Sequence, residues 1–324
     1  MRRRDFLASS LTAASTVGFG SAFAQGSGTP LKIIVPFPPG GHPDLVARLL
    51  SVPLGQLLDQ PVVVENRAGA GGLIGAQAVL QSKPDGNTMI MNTASTAVFV
   101  TLTRDPMPYD PLTAFMPVAM LGAQPLALAV NSGSPAKTLT EIIGQARKAN
   151  GAFSYGSSGV GSLTHVIFEY FKQKAGGLDV QHVPYKGSLA AVTDLAGGRV
   201  EMVIDTLSTM QPFVRDGRIR QLALFSDKPH EAAPGIPTAR SQGVDLVAQA
   251  FNILAFPAGT PPARFEKVST AVQSAIRRPE FQSALSKAFM SFDPDFGPKE
   301  CADFLANEVA VYTKVIRSAG ISAN

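Results

Sequence analysis

The chain has 324 residues, 45% hydrophobic and 16% charged, with 30 Gly, 25 Pro, one Cys and no Trp. That length suits two globular domains of ordinary size. The formal net charge is +4, and Arg2, Arg3 and Arg4 against Asp5 supply +2 of it, so no basic run remains to mark a nucleic-acid partner.

The first segment reads as an export signal, removed from the mature protein. Arg2–Arg4 form a basic start, residues 6–19 a mildly apolar stretch, and Ala22-Phe23-Ala24 an A-x-A cleavage site, so the mature chain is expected to begin at Gln25. Arg3-Arg4-Asp5-Phe6-Leu7 matches the core of a twin-arginine signal, and both Tat and Sec export stay open. No later stretch has the roughly 18 uninterrupted apolar residues of a spanning helix. Cys301 is alone, which excludes an internal disulfide, and reads as a half-buried helix residue rather than a reactive thiol.

The organising stretch is Ile33–Asp44, IIVPFPPGGHPD. Leu31, Ile33, Ile34 and Val35 form a near-continuous apolar run, as in a parallel strand covered on both faces. Pro36, Pro38 and Pro39 then remove three backbone donors. The amides left belong to Phe37, Gly40, Gly41, His42 and Asp44, and two adjacent glycines allow a ligand close to the backbone. Pro43 suits the first helical position. The turn is either an anion site at a helix N-terminus or only a tight βα connection.

The residues after Asp44 have helical spacing, with Pro53 expected to kink or divide the helix. Residues 61–65 read as a strand, 66–72 as a glycine loop and 73–81 as a helix. Thr88–Met91 is a buried strand leading into Asn92-Thr93-Ala94-Ser95-Thr96, a hydroxyl-rich loop at a strand's C-terminal end, where open α/β sheets bind ligands. Residues 126–130 read as a strand, and 139–149 as a helix with Thr138 and Glu141 as a capping box.

Phe153–His165, FSYGSSGVGSLTH, repeats the logic of the first turn: a strand, glycines with Ser157 and Ser158, then a helix capped by Ser162 after Gly161. His165 three residues after Ser162 fits a capped helix start better than a Ser/His catalytic pair. Strands follow at 180–185, 200–204 (ending at Asp205), 219–225 and 251–256, with helices at 188–196, 207–215, 263–276, 279–289 and 298–319. Alternating β and α elements argue for parallel sheets, and the helical tail is expected to pack on the first domain. The sequence contains no G-x-S-x-G elbow, no G-x-x-x-x-G-K-[ST] loop and no metal-ligand spacing among His42, His165, His182 and His230. Polar, glycine-rich βα turns without a nucleophile fit binding better than catalysis, with no cofactor and no metal.

Several segments together resemble the periplasmic solute-binding receptors of tripartite tricarboxylate transporters, the Bug family. They are residues 35–48 (VPFPPGGHPDLVAR), 60–75 (QPVVVENRAGAGGLIG), 84–88, 109–111, 153–165, 182–187 (HVPYKG), 194–200 (DLAGGRV) and 255–261 (AFPAGTP), in order along the mature chain. The resemblance implies an α/β, two-lobed, type II (Venus-flytrap-like) periplasmic binding protein with its ligand in the cleft. One lobe would comprise residues 25–125 and 247–324, the other 126–246. It further implies a non-enzymatic receptor for a small carboxylated solute: a di- or tricarboxylate, an acidic amino acid or an aromatic carboxylate. Its partner would be the membrane permease of a tripartite tricarboxylate transporter, and the receptor a monomer. A sensory receptor presenting ligand to a membrane regulator is the alternative, and a secreted hydrolase using Ser157, Ser162 and His165 a more distant one. The expected ligand-binding residues are Phe37, Gly40, Gly41, His42, Asp44, Thr93, Ser95, Ser157, Ser158, Gly161, Ser162, His165 and Asp205. Two of them carry open alternatives. Where the family often has Pro-Thr-Asp or Ser-Thr-Asp, this chain has His42-Pro43-Asp44, and His42 either donates to ligand or points to solvent. Asp205 either accepts from a ligand amine or hydroxyl or caps the following helix.

Overall fold

The computed structural model describes residues 28–231 and 233–323, and the segment expected to be an export signal lies outside the described residues. Strand β1 (Leu31–Val35) pairs in parallel with β2 (Val62–Asn66) on one side and β3 (Thr88–Thr93) on the other. Its side chains alternate between two cores. Leu31, Ile33 and Val35 meet helix α1 (His42–Leu58), while Ile34 meets α2 (Leu73–Leu80), so helices cover both faces as the continuous apolar run requires. Pro53 does not divide α1, which runs unbroken for 17 residues. Leu50, Leu54 and Leu58 are buried on either side of it, and this packing holds the helix through the missing hydrogen bond.

After β3 the chain makes a wide helical turn (Ser95–Phe99) and a short helix α3 (Val100–Leu102), then enters β4 (Phe115–Asn131). β4 spans 17 residues, where the sequence pattern marks only the last few. Pro117, Gly122 and Pro125 resemble strand breakers. The strand absorbs Pro117 and Gly122 at two register shifts, between Pro117 and Ala119 and between Met120 and Ala123, with Gly122 at φ +121°, and Pro125 is its last residue paired with β9.

The second half contains α4 (Leu139–Lys148), β5 (Ser154–Ser157), α5 (Leu163–Lys174), β6 (Gln181–Pro184), α6 (Ser188–Ala196), β7 (Met202–Thr206), α7 (Leu207–Arg215) and β8 (Ile219–Leu224). β9 (Gln249–Pro257) returns to the first half. The strand order is β2-β1-β3-β9-β4-β7-β5-β6, with β8 also on β4. Residues 115–125 of β4 pair with β9, and residues 126–131 pair with β7 and β8. One strand therefore belongs to both halves of the sheet system.

The tail forms α8 (Pro262–Ile276), α9 (Pro279–Lys287) and α10 (Pro298–Ala319). Only α8 and α9 share the core of β1 and α1. α10 also packs on the first half, against Phe99, α3 and β4, and reaches on to the second. Its Cys301, Leu305, Tyr312, Val315 and Ile316 join the core that holds Phe168 and Phe171 of α5. Tyr312 meets Phe99 edge-on at 4.9 Å and Tyr170 at 6.1 Å. At about 1.5 Å per residue, 22 residues give a helix long enough to lie across both halves. Cys301 is fully buried rather than half-buried, and burial pushes its thiol up to about 12, which leaves it inert. Among the described residues, no helix is long and apolar enough to cross a membrane.

Candidate functional site

The C-terminal ends of β1, β3, β5, β6 and β7 converge on one cavity of about 590 Å³. It lies where the two halves of the sheet system meet, in the position where α/β folds bind ligands. The β1–α1 turn contributes Phe37, His42 and Pro43, and the β3 loop contributes Thr93, Ala94 and Ser95. The β5–α5 turn contributes residues 158–164, the β6–α6 turn Gly187 and Ser188, and the β7–α7 turn Asp205, Thr206, Ser208 and Thr209. Four helices, α1, α5, α6 and α7, therefore begin at the cavity wall. The first-turn amides of a helix lack intrahelical acceptors and carry its positive end. Arg104 is the one Lys or Arg among the described residues that line the cavity.

The two glycine turns are each held by their own side chains. In the first, Asp44 is buried and faces inward, not into the cavity. Its carboxylate accepts from Gly40 N–H at 2.9 Å, from Asn66 Nδ2 at 2.9 Å and from Arg48 Nε at 3.0 Å. Burial pushes this carboxyl up, but those hydrogen bonds together with the Arg48 charge hold it at about 2. Gly40 and Gly41 stand outside the cavity lining, and the Gly40 amide is already committed to Asp44. Gly41 is the N-cap, which makes His42 the first helical residue and Pro43 the second.

In the second turn, Ser162 accepts from the His165 amide at 3.3 Å as the helix cap, and its hydroxyl donates to Gly159 O at 2.6 Å. His165 is buried outside the cavity, where its Nδ1 accepts from Gly161 N–H at 3.0 Å. Ser157 is fully buried and bonds His182 Nε2 at 2.6 Å. Phe168, Tyr155, His182 and His165 form one ring stack with successive centroid distances of 3.7, 4.9 and 3.9 Å. Burial pushes both imidazoles down to about 4, so the stack is neutral at physiological pH. Ser162 and His165 meet only through a capping bond, and the Ser157–His182 pair is closed off behind the cavity lining, so neither pair presents a nucleophile to the cavity.

Of the residues singled out from the sequence, Phe37, His42, Thr93, Ser95, Ser158, Gly161, Ser162 and Asp205 line the cavity. Asp44, Ser157 and His165 are buried behind it, and Gly40 and Gly41 are exposed outside its lining. Ser158 N–H donates to Thr164 Oγ1 at 2.8 Å, which fixes the turn's edge. His42 does not point to solvent. Its Nε2 lies 3.2 Å from Ser208 Oγ and bonds Gln124 Nε2, while Ser208 donates to Gln124 Oε1 at 3.1 Å. Gln124 is fully buried in β4. The three side chains link the start of α1, the shared strand and the start of α7, and burial lowers the His42 imidazole below its ordinary value. Asp205 is 2% exposed, and its Oδ1 accepts from the Thr206 amide at 2.8 Å.

Sequence reasoning missed Arg104, Gln124, Ser188, Thr206, Ser208 and Thr209. The run Thr206–Thr209 after a strand-ending aspartate carries the same hydroxyl-rich signal as residues 92–96. Arg104 and Gln124 carry no local signal, since both follow segments without clear periodicity.

An α/β fold in two halves with a cavity between them is the architecture of solved periplasmic solute-binding proteins that this chain superimposes on. The family model described as tripartite tricarboxylate transporter family receptor matches residues 46–321, and the chain belongs to that family. It is 34% identical over 296 residues to "Protein BugT" of Bordetella pertussis, covering 90% of this chain and 89% of the relative. A solved Rhodopseudomonas palustris protein with adipate superimposes with a TM-score of 0.81 at 31% identity, covering 91% of this chain and 98% of the other. MatC from the same organism, with bound malate, gives a TM-score of 0.78 at 26% identity, covering 89% and 98%. The family is one of binding receptors, not enzymes.

Proposed function

We propose that this protein captures a small organic carboxylate in the cavity between its two halves and delivers it to a tripartite tricarboxylate-type membrane permease. The reading rests above all on four helix N-termini and one guanidinium, Arg104, facing a common 590 Å³ space. That arrangement favours an anion without requiring a paired arginine clamp. Relatives solved with adipate and malate support the same chemical class. Residues 25–125 with 247–324 form one lobe and residues 126–246 the other, and β4 and the chain leading into β9 are the crossovers. A ligand held by Phe37, His42, Thr93 and Ser95 from one lobe and by Ser158, Gly161, Ser162 and Asp205 from the other favours the closed arrangement. The chain works as a monomer, exported through Tat or Sec with cleavage near Ala24.

A thermal-shift screen of residues 25–324 against carboxylates, amines and neutral solutes tests the reading. A dye is needed because the chain has no tryptophan. A ligand at 100 times its Kd adds about 2.7 kcal/mol, a shift of several degrees. A shift with one carboxylate class supports the proposal and names the ligand. Shifts with amines or neutral solutes alone refute it.

A further inference from the structure

Gln124 is a polar side chain fully buried in β4, outside the cavity lining. It lies where the strand changes partners, since Pro125 is the last residue paired with β9 and Leu126 the first paired with β7. Its amide reaches three other elements. Nε2 lies 2.6 Å from Ala288 O at the end of α9 and bonds His42 Nε2 at the start of α1. Oε1 accepts from Ser208 Oγ at 3.1 Å at the start of α7.

Elimination places every proton in this group. A carbonyl oxygen only accepts, so the atom facing Ala288 O is the amide nitrogen and not the amide oxygen. That nitrogen carries two protons. One goes to Ala288 O and the other to His42 Nε2, which accepts with its lone pair. His42 Nδ1 is the farther ring nitrogen, 3.4 Å from the same amide. Ser208 Oγ is also 3.2 Å from His42 Nε2, but its one proton goes to Oε1, which has none to give. The His42 ring is thus neutral, with its proton on Nδ1. An imidazolium would set N–H against N–H. It would also put a positive charge in the first turn of α1, at the positive end of that helix. Burial acts in the same direction. Nδ1–H is the donor that remains to this ring, and the ring lines the cavity.

We propose that Gln124 is a positioning residue: it holds His42 as the neutral Nδ1–H tautomer, so that the ring offers a bound carboxylate a fixed, uncharged donor. The same amide receives the Ser208 hydroxyl from the other lobe when the cavity closes. The inference rests on the receptor reading above.

The test has two parts. The first is 15N NMR of histidine-labelled residues 25–324 without ligand at pH 7.5. The chain has four histidines, and the His42 signals are assigned by their loss in His42→Ala. The expected wild-type spectrum shows His42 with Nδ1 protonated and Nε2 bare. Gln124→Met keeps the side-chain length, removes the donors and is expected to give a mixture of both tautomers. The second part is calorimetric titration with the carboxylate selected by the thermal-shift screen. Gln124→Met is expected to weaken binding about fivefold or more in the wild-type background and less than about twofold in His42→Ala, because it acts through that ring. A proton on His42 Nε2, alone or in an imidazolium, overturns the inference. So does an unchanged affinity in Gln124→Met, or a loss of equal size in both backgrounds, which would make Gln124 a packing residue. The wild-type spectrum decides the tautomer even if Gln124→Met does not fold. If the wild type binds no carboxylate, the receptor reading fails, while the ring spectrum on the free protein still shows whether Gln124 sets the tautomer.

Discussion

The two glycine turns look alike in sequence, yet they present different things to the cavity. The first, Phe37–Asp44, turns its carboxylate away from the ligand space to hold Gly40, Arg48 and Asn66, and presents Phe37, His42 and Pro43. The second, Ser157–His165, is braced by a cap and a histidine stack and presents the continuous run from Ser158 to Thr164. In both, the groups that look most reactive are structural. Asp44, Ser157 and His165 spend their hydrogen bonds on the turns and on the elements behind them, which is what keeps the exposed amides in place. A conspicuous polar residue in a βα turn is therefore as apt to be scaffold as contact.

The comparison can be broken most forcefully at Asp44. Asp44→Ala leaves the Gly40 amide and Asn66 without their partner, and is expected to cost about 2–3 kcal/mol in urea unfolding. Its pH dependence has a definite sign. The folded carboxyl at about 2 lies below its ordinary value of 3.8, so its stabilisation is present above about pH 4 and fades as pH falls toward 2. The stability gap between wild type and variant should narrow over that window, and a gap that widens on acidification would contradict the inward role. Next is His42→Ala, which removes the link to Gln124 and Ser208. Affinity for the best carboxylate should fall at least tenfold, about 1.4 kcal/mol, and unchanged affinity by calorimetry would leave His42 as a lobe contact only. Ser162→Ala should cost about 1 kcal/mol of stability as a lost helix cap, read by the same urea curves, with ligand preference retained. A change of preference without a stability cost would make Ser162 a ligand contact instead.

The smallest effect lies away from both turns and serves as a control. Burial pushes the Glu308 carboxyl up to about 7 on α10. Because the folded value lies above the ordinary one of 4.5, stability falls as pH rises from about 4.5 to 7 and is flat beyond. Glu308→Gln should flatten that fall and raise the melting midpoint at pH 8 by about 1–2 °C, with ligand affinity unchanged.

Much of this architecture is legible in the sequence because local chemistry and global placement agree. The buried run of β1, the Thr138 and Ser162 caps and the glycine turns each carry their own signal. The first two-thirds of β4 is hidden because Pro117, Gly122 and Pro125 suggest a loop, and only pairing with β9 makes them a strand. The docking of α10 is hidden for the same reason, since an amphipathic stripe does not say which core it meets. In the site, His42 and Asp205 stand out as local anomalies, whereas Arg104 and Gln124 reach the cavity or its link only through tertiary packing. Asp44 illustrates the converse: its place in the turn is visible, but the direction of its side chain depends on Asn66, 22 residues away.

The most direct test of the central claim, that one carboxylate is held by both turns, is amide hydrogen exchange on residues 25–324 with and without the best ligand of the thermal-shift screen. The account predicts that peptides covering residues 37–45 and 157–166 both gain protection at saturation, to a similar extent at matched ligand concentration. Protection confined to one turn, with the other exchanging as in the free protein, would contradict it.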